Sequence, residues 1–208
     1  HHNIDHSQAT ADKILLAATE LFARNNFDAV SVKQIAEAAD ANTALISYYF
    51  GGKKNLYQEV LYTQAKEFLN IQEDIRKKKL SPFTKLHAFV DSIAKLQAEH
   101  PYHIHLIYRE MLTPEPMFEK YIQSHLYRVH QFMAELVDEA IQNGEIKTNI
   151  KPTHVAFTLE SIILFFFLAK QPIMMLGKFD PGTETSYLLE ALDTYIMSLK
   201  WMLNAELK

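Results

Sequence analysis

The sequence predicts an all-α protein, and three observations predict it. Long stretches repeat apolar residues every three or four positions, period-2 alternation bounded by turn residues is scarce, and glycine numbers only 5 in 208 residues. The composition, 48% hydrophobic and 22% charged, belongs to a globular chain long enough to bury a core, which excludes disorder, collagen and coiled-coil rods. A formal net charge of −4 gives no global basicity. The absence of cysteine rules out a disulfide framework, a thiol nucleophile and a cysteine-ligated zinc site. His1-His2 reads as the remnant of a tag, residues 1–8 as a disordered start, and no secretory apolar region follows. The most apolar run, Ser161 to Ala169, is shorter than the ~18 to 20 residues of a membrane span, so a cytoplasmic protein with no membrane contact is expected.

The first helix is expected from Ala9 to Asn25, with Ile14, Ala17, Ala18, Leu21 and Phe22 on one stripe. Asn25-Asn26 interrupts it. Ser31 with Gln34 three residues on forms a capping box, which starts a short helix from Val32 to about Ala39. Asp40-Ala41 makes a tight turn, and Asn42 caps a third helix, Thr43 to Phe50, closed by Gly51-Gly52. Lys53 opens a longer helix to roughly Lys79. Ser81-Pro82 starts the next, ending near His100, and Pro101 sits at the first position of another, where its missing N–H costs nothing. Pro114 and Pro116 break the chain before a helix from Phe118 to Asn143, capped by Gly144. Lys151-Pro152-Thr153 leads into a helix to about Lys170. A loop holding Pro172, Gly177, Pro181 and Gly182 then precedes a last helix, Thr183 to Ala205.

Two short helices joined by a tight turn and braced by a first helix follow the helix-turn-helix plan. On the second of the pair, Asn42, Thr43, Ala44, Ser47 and Tyr48 are small or hydrogen-bonding, and suit an approach to base edges. Leu45, Ile46 and Phe50 are apolar and belong to the core. Tyr49 and Lys53 follow at positions where a phenol and an ammonium can hold a backbone phosphate, as can Ser31 and Lys33 at the start of the preceding helix. At these residues the chain resembles the TetR (tetracycline-repressor) family. The matching elements are Ile14-Leu15-x-Ala17-Ala18-x-x-Leu21-Phe22, Phe27 before Ser31-Val32, and Ile35-Ala36-x-x-Ala39. Tyr48-Tyr49-Phe50-Gly51-Gly52-Lys53-x-x-Leu56-Tyr57 completes them, so that the match spans about 45 of 208 residues. The chain departs at Asp40, Ala44 and Ser47, where family members commonly carry Gly, Gly and Tyr; the missing tyrosine removes a usual DNA-backbone contact.

The resemblance implies a helix-turn-helix DNA-binding domain over residues 9–56, and a larger helical effector-binding and dimerisation domain over 57–208. It implies a ligand-responsive regulator, a repressor that binds a palindromic operator as a homodimer. Residues 1–56 hold five Lys/Arg against six Asp/Glu, and this acidic head favours the rival reading, a helical small-molecule-binding or interaction protein without sequence-specific DNA binding. Leu188, Leu192, Tyr195 and Leu199 on the last helix, with Leu159 and Ile163 on the one before, form apolar stripes that a single core could absorb, but the resemblance favours a dimer interface in which they pair two chains. Glu160 within that helix requires a polar partner, water or an interface.

Tyr108, Met111, Tyr121, Phe165 and Phe166 are the aromatic and thioether side chains expected around a small, largely apolar effector, although each also suits a core. Arg109-Glu110 reads as an ion pair or as an orienting contact to a ligand's polar end. His100, His103 and His105 straddle a helix boundary, and His125 and His130 are five apart, so no metal site and no cofactor is expected. No nucleophile elbow, phosphate loop or paired catalytic carboxylates occur, so the chain is not expected to be an enzyme.

Overall fold

The computed structural model describes residues 2–112, 126–147, 149–177, 180 and 182–201. Among them are ten α-helices, one 3-10 turn and no strand. They fall into two compact units, the described parts of His1–Lys66 with Tyr102–Ile122 and of Glu67–Pro101 with Gln123–Lys208. This division differs from a simple cut at residue 56, because a segment from the middle of the chain returns to the first unit.

In the first unit, α1 (His2–Arg24), α2 (Val32–Ala38) and α3 (Thr43–Phe50) pack on one another. They are followed by α4 (Lys53–Lys77), whose first part belongs to this unit, and by α6 (Pro101–Leu112), of which all but Pro101 does. Residues 2–8, expected as a disordered start, continue α1. The 3.6-residue period puts Ile14, Ala18 and Phe22 of α1 at the centre with Ile35, Ile46, Leu56 and Tyr57, all nearly inaccessible to water. The helix starts are those the sequence encodes. Ser31 Oγ accepts from the Gln34 amide at 3.1 Å while Gln34 Oε1 accepts from the Ser31 amide at 2.8 Å, and Asn42 Oδ1 accepts from the Ala44 amide at 2.8 Å.

The turn between α2 and α3 is a Schellman ending. The Ala41 amide donates to the Ala36 carbonyl at 2.9 Å and the Asp40 amide to the Glu37 carbonyl at 3.2 Å, which drives Asp40 to φ +50. This left-handed position normally falls to glycine, and aspartate is among the few other residues that tolerate it.

The second unit is built from the rest of α4, α5 (Pro82–Glu99), α7 (Tyr127–Gln142), α8 (Pro152–Leu168), α9 (Lys170–Gly177) and α10 (Glu184–Trp201). α8 packs on α7, α9 and α10, and α5 packs on α7, α8 and α10. Phe89 meets Phe132 edge-on at 5.0 Å in the centre, among Leu86, Val137, Val155, Leu159, Leu188 and Leu192. A second Schellman ending closes α7 at Gly144, φ +72, with the Glu145 amide 2.8 Å from the Ala140 carbonyl.

α9 occupies part of the segment expected as a loop. Pro172 has no N–H to offer the Leu168 carbonyl and its ring crowds that carbonyl, so α8 ends there; a proline in the first turn of α9 breaks nothing. The two helices meet at 81°. No single helix among the described residues is long and apolar enough to cross a membrane.

Candidate nucleic-acid interface

α3 is eight residues long, and its sequence divides it into two faces. Ile46 is completely buried and Leu45, Tyr49 and Phe50 are partly so, which seats the helix. Asn42, Thr43, Ala44, Ser47 and Tyr48 point to solvent, with Tyr48 78% exposed although it is aromatic. The helix is thus held by one face and leaves a large ring and small polar residues of the other in solvent. Tyr48 and Tyr49 stand edge to face at 5.0 Å, and Tyr49 Oη accepts a hydrogen bond from Ser7 Oγ at 3.2 Å. Tyr49 therefore presents a phenol fixed by α1. Ser7 was not singled out in the sequence, because its neighbours were set aside as a tail.

Two positions expected to meet phosphates are already engaged. Ser31 is spent largely on its cap, where its hydroxyl also lies 3.0 Å from Gln34 Oε1. Lys33 reaches Glu37 at 3.8 Å across an exposed turn, a pairing weak enough for a phosphate to displace. Lys53 is better organised. It opens α4 after Gly51 and Gly52, both at positive φ, and its ammonium sits 4.2 Å from the centre of the Phe27 ring. At Gly51 the φ of +72 disfavours a side chain, whereas the Cβ contact, 2.9 Å to Asn55 Nδ2, is with the movable end of a side chain. Phe27 packs in turn on Phe22 at 5.8 Å and on Tyr57 at 5.1 Å.

Arg109 and Glu110 each have partners far along the chain. Arg109 Nη1 donates to Asn26 Oδ1 at 2.6 Å and Nη2 to the Ala23 carbonyl at 3.1 Å, while the Tyr57 hydroxyl donates to the buried Glu110 carboxylate. The dipeptide therefore ties α6 to α1 and α4. Nothing in the spacing of the sequence pointed to Asn26 or Tyr57 as its partners, since they lie 83 and 53 residues away.

The residues expected around an effector fall in both units. Tyr108 is partly buried and Met111 exposed in the first unit. In the second unit Phe166 is buried against Phe167 and Tyr187, whereas Phe165, one position before it, points outward and is 62% exposed. Tyr121 lies outside the described residues. The stripe expected to pair two chains closes the core of its own unit instead: Leu159, Leu188, Leu192 and Leu199 have no exposed surface, Ile163 is buried and Tyr195 partly so. Left facing outward are Phe157, Phe165 and Leu168 of α8, Met175 and Leu176 of α9 and Met197 of α10.

Glu160, whose need for a partner was legible in the sequence, meets His130 Nδ1 at 3.1 Å; burial raises its pKa and the histidine opposes that shift. Burial likewise raises Glu67, again opposed by a histidine, His100. Among the described residues no group of three or more His, Asp or Glu could hold a metal ion.

Comparison with known proteins bears on both parts of the chain. Residues 14–60 match the model for bacterial regulatory proteins of the tetR family, and residues 82–196 match the C-terminal domain of the HTH-type transcriptional dual regulator CecR. The "Probable HTH-type transcriptional regulator YttP" of Bacillus subtilis is 27% identical over 167 residues, covering 79% of this chain and 80% of that protein. The HTH-type transcriptional repressor NicS of Pseudomonas putida is 30% identical over 103 residues, 50% of this chain and 49% of that one. Among solved structures, the hemolysin II transcriptional regulator HlyIIR superposes with a TM-score of 0.66 at 26% identity, covering 89% of this chain and 97% of that one. The ketosteroid regulator KstR2 of Mycobacterium tuberculosis shares the fold, with a TM-score of 0.75 at 16% identity over 91% and 94% of the two chains.

Proposed function

Because this chain belongs to the TetR family of bacterial regulatory proteins, which are DNA-binding helix-turn-helix transcriptional regulators and not enzymes, we propose that it is a homodimeric repressor. It occupies a palindromic operator and leaves it when a small, largely apolar effector binds. The observation that carries the DNA contact is the exposed face of α3, Asn42, Thr43, Ala44, Ser47 and Tyr48, seated on the buried Ile46 and flanked by Tyr49 and Lys53. Side chains at the first turn of α3 reach base edges, whereas Tyr49 and Lys53 hold phosphates. Similarity to a named repressor, NicS, supports repression.

Pairing is supported by the outward apolar face of α8 and α9. Two phenylalanines, two leucines and a methionine on these helices are exposed, side chains that a second chain would cover. The effector reading rests on the second unit. Gln72 and Gln97 are buried with amide oxygens that meet no donor among the described residues, and a buried acceptor left unpaired costs about 1–3 kcal/mol until something supplies the bond. An apolar molecule with one hydrogen-bonding end would satisfy one such acceptor, whereas a sugar or nucleotide needs many paired donors and acceptors.

Incubating the protein with random duplexes and sequencing those retained tests the reading directly. Enrichment of a palindrome with half-sites one helical turn apart, about 34–36 Å, is expected of a dimer. Enrichment of a single half-site would overturn the dimer, and no enrichment would overturn operator recognition.

A further inference from the structure

Arg109 has no part in the DNA contact proposed above, yet its surroundings are specific. Its guanidinium spans the Asn26 side chain at 2.6 Å and the Ala23 carbonyl at 3.1 Å. Asn26 is exposed, lies between α1 and the 3-10 turn Phe27–Ala29, and makes no side-chain cap to that turn, so its oxygen serves the guanidinium. The next residue, Phe27, is the ring over which the Lys53 ammonium sits at 4.2 Å. Behind Phe27 stands Tyr57 at 5.1 Å, and Tyr57 donates to Glu110. Two consecutive α6 residues thus hold Phe27 from both sides. Arg109 fixes the backbone corner before it and Glu110 fixes the ring packed against it.

We propose that Arg109 is a positioning residue for the phosphate contact of Lys53: by clamping the Asn26–Phe27 corner it sets where the ammonium stands. This rests on the phosphate role given to Lys53 above. The physical case is one of freedom removed. A lysine head swings on a four-carbon stem, and a fixed aromatic face narrows its range. The face is only as fixed as the corner carrying it, and a planar guanidinium with two acceptors is a stiff tie. Arg109 touches no DNA in this scheme and acts through Phe27.

Because phosphate contacts are sequence-independent, a mixed-sequence DNA duplex is a sufficient probe. Its affinity is measured against KCl concentration for the full-length wild type, Lys53→Ala, Arg109→Ala, Asn26→Ala and the Arg109→Ala/Lys53→Ala double variant. Circular dichroism and melting temperature check that each is folded. Lys53→Ala is expected to lower the slope of log affinity on log salt by about 1. Arg109→Ala and Asn26→Ala are expected to lower it comparably, and Arg109→Ala to lower it no further once Lys53 is gone. A residue with only a structural role would change the melting temperature and leave the slope alone. An unchanged slope in the folded Arg109→Ala protein, or an equal further loss in the double variant, overturns the proposal. Should Arg109→Ala fail to fold, Asn26→Ala removes the shorter contact from an exposed position, and its slope, alone and with Lys53→Ala, decides in the same way. Wild-type binding without salt dependence, by contrast, would refute the phosphate role of Lys53 itself.

Discussion

Asp40 shows what a single residue carries. Its φ of +50 is required by the ending of α2, so the backbone, not the side chain, selects who can stand there. Asp40→Gly is expected to fold unimpaired, whereas Asp40→Val should cost roughly 1–2 kcal/mol in denaturant unfolding, because a β-branched residue resists the left-handed region. Glu160 makes the complementary case. Burial raises its folded-state pKa above the unfolded value, so its ionisation weighs against the fold as pH climbs through that interval. Glu160→Gln keeps an oxygen for His130 and removes the charge. The variant should melt at or above the wild-type temperature at neutral pH, with the difference closing in acid, where the wild-type carboxyl is protonated in both states. A variant melting lower at neutral pH would show that the pair with His130 outweighs the burial of the charge.

At the scale of the element, the two faces of α3 make separable expectations. Thr43→Ala or Tyr48→Ala should change which duplexes are retained from a random pool while leaving the salt slope nearly intact, since base-edge contacts carry the information. The apolar helices divide likewise. Leu192→Glu places a charge in the core of the second unit, where nothing can pair it, and loss of helicity is expected. Met175→Glu with Leu176→Glu alters side chains already in water. It should leave helicity unchanged and shift a dimer toward monomer in light scattering. Persistence of the dimer would remove α9 from the interface.

The helix-turn-helix was legible because its signals are local. The capping box at Ser31, the cap at Asn42 and the glycines after Phe50 each act within a few residues, and the boundaries of α3 fell where they said. The apolar stripes were legible too, but not what they face. A period of 3.6 says that Leu188 and Leu192 turn inward, and is silent on whether the inside is one chain or two. α9 was missed because Pro172 and Gly177 read as loop residues, while a proline in a first turn and a glycine at a helix end are both compatible with a short helix.

For the whole molecule, an effector that binds only the folded state should raise the melting temperature, and if it also releases DNA the two effects must share one coupling free energy. A mixed library screened by thermal shift, with every hit tested for loss of duplex binding, measures both. Hits confined to polar metabolites would contradict an apolar site, and stabilisation that never changes DNA affinity would contradict release. The buried amides give this a residue-level control. Gln97→Leu should stabilise the free protein by removing an unpaired acceptor, and should abolish the shift produced by any hit whose polar end it receives.

By itself the sequence determined the helical class, the head's motif and its caps, and which residues of α3 face outward, because propensity, capping and periodicity are properties of neighbours along the chain. Only the tertiary structure decided that Arg109 ties α6 to the head, that Lys53 rests on Phe27, that Glu160 meets His130, and that the last helix spends its stripe inside its own unit. Those outcomes join residues 26 to 86 positions apart or depend on which of two apolar faces finds a partner first. Nothing local along the chain distinguishes such pairings until packing has brought the distant surfaces together.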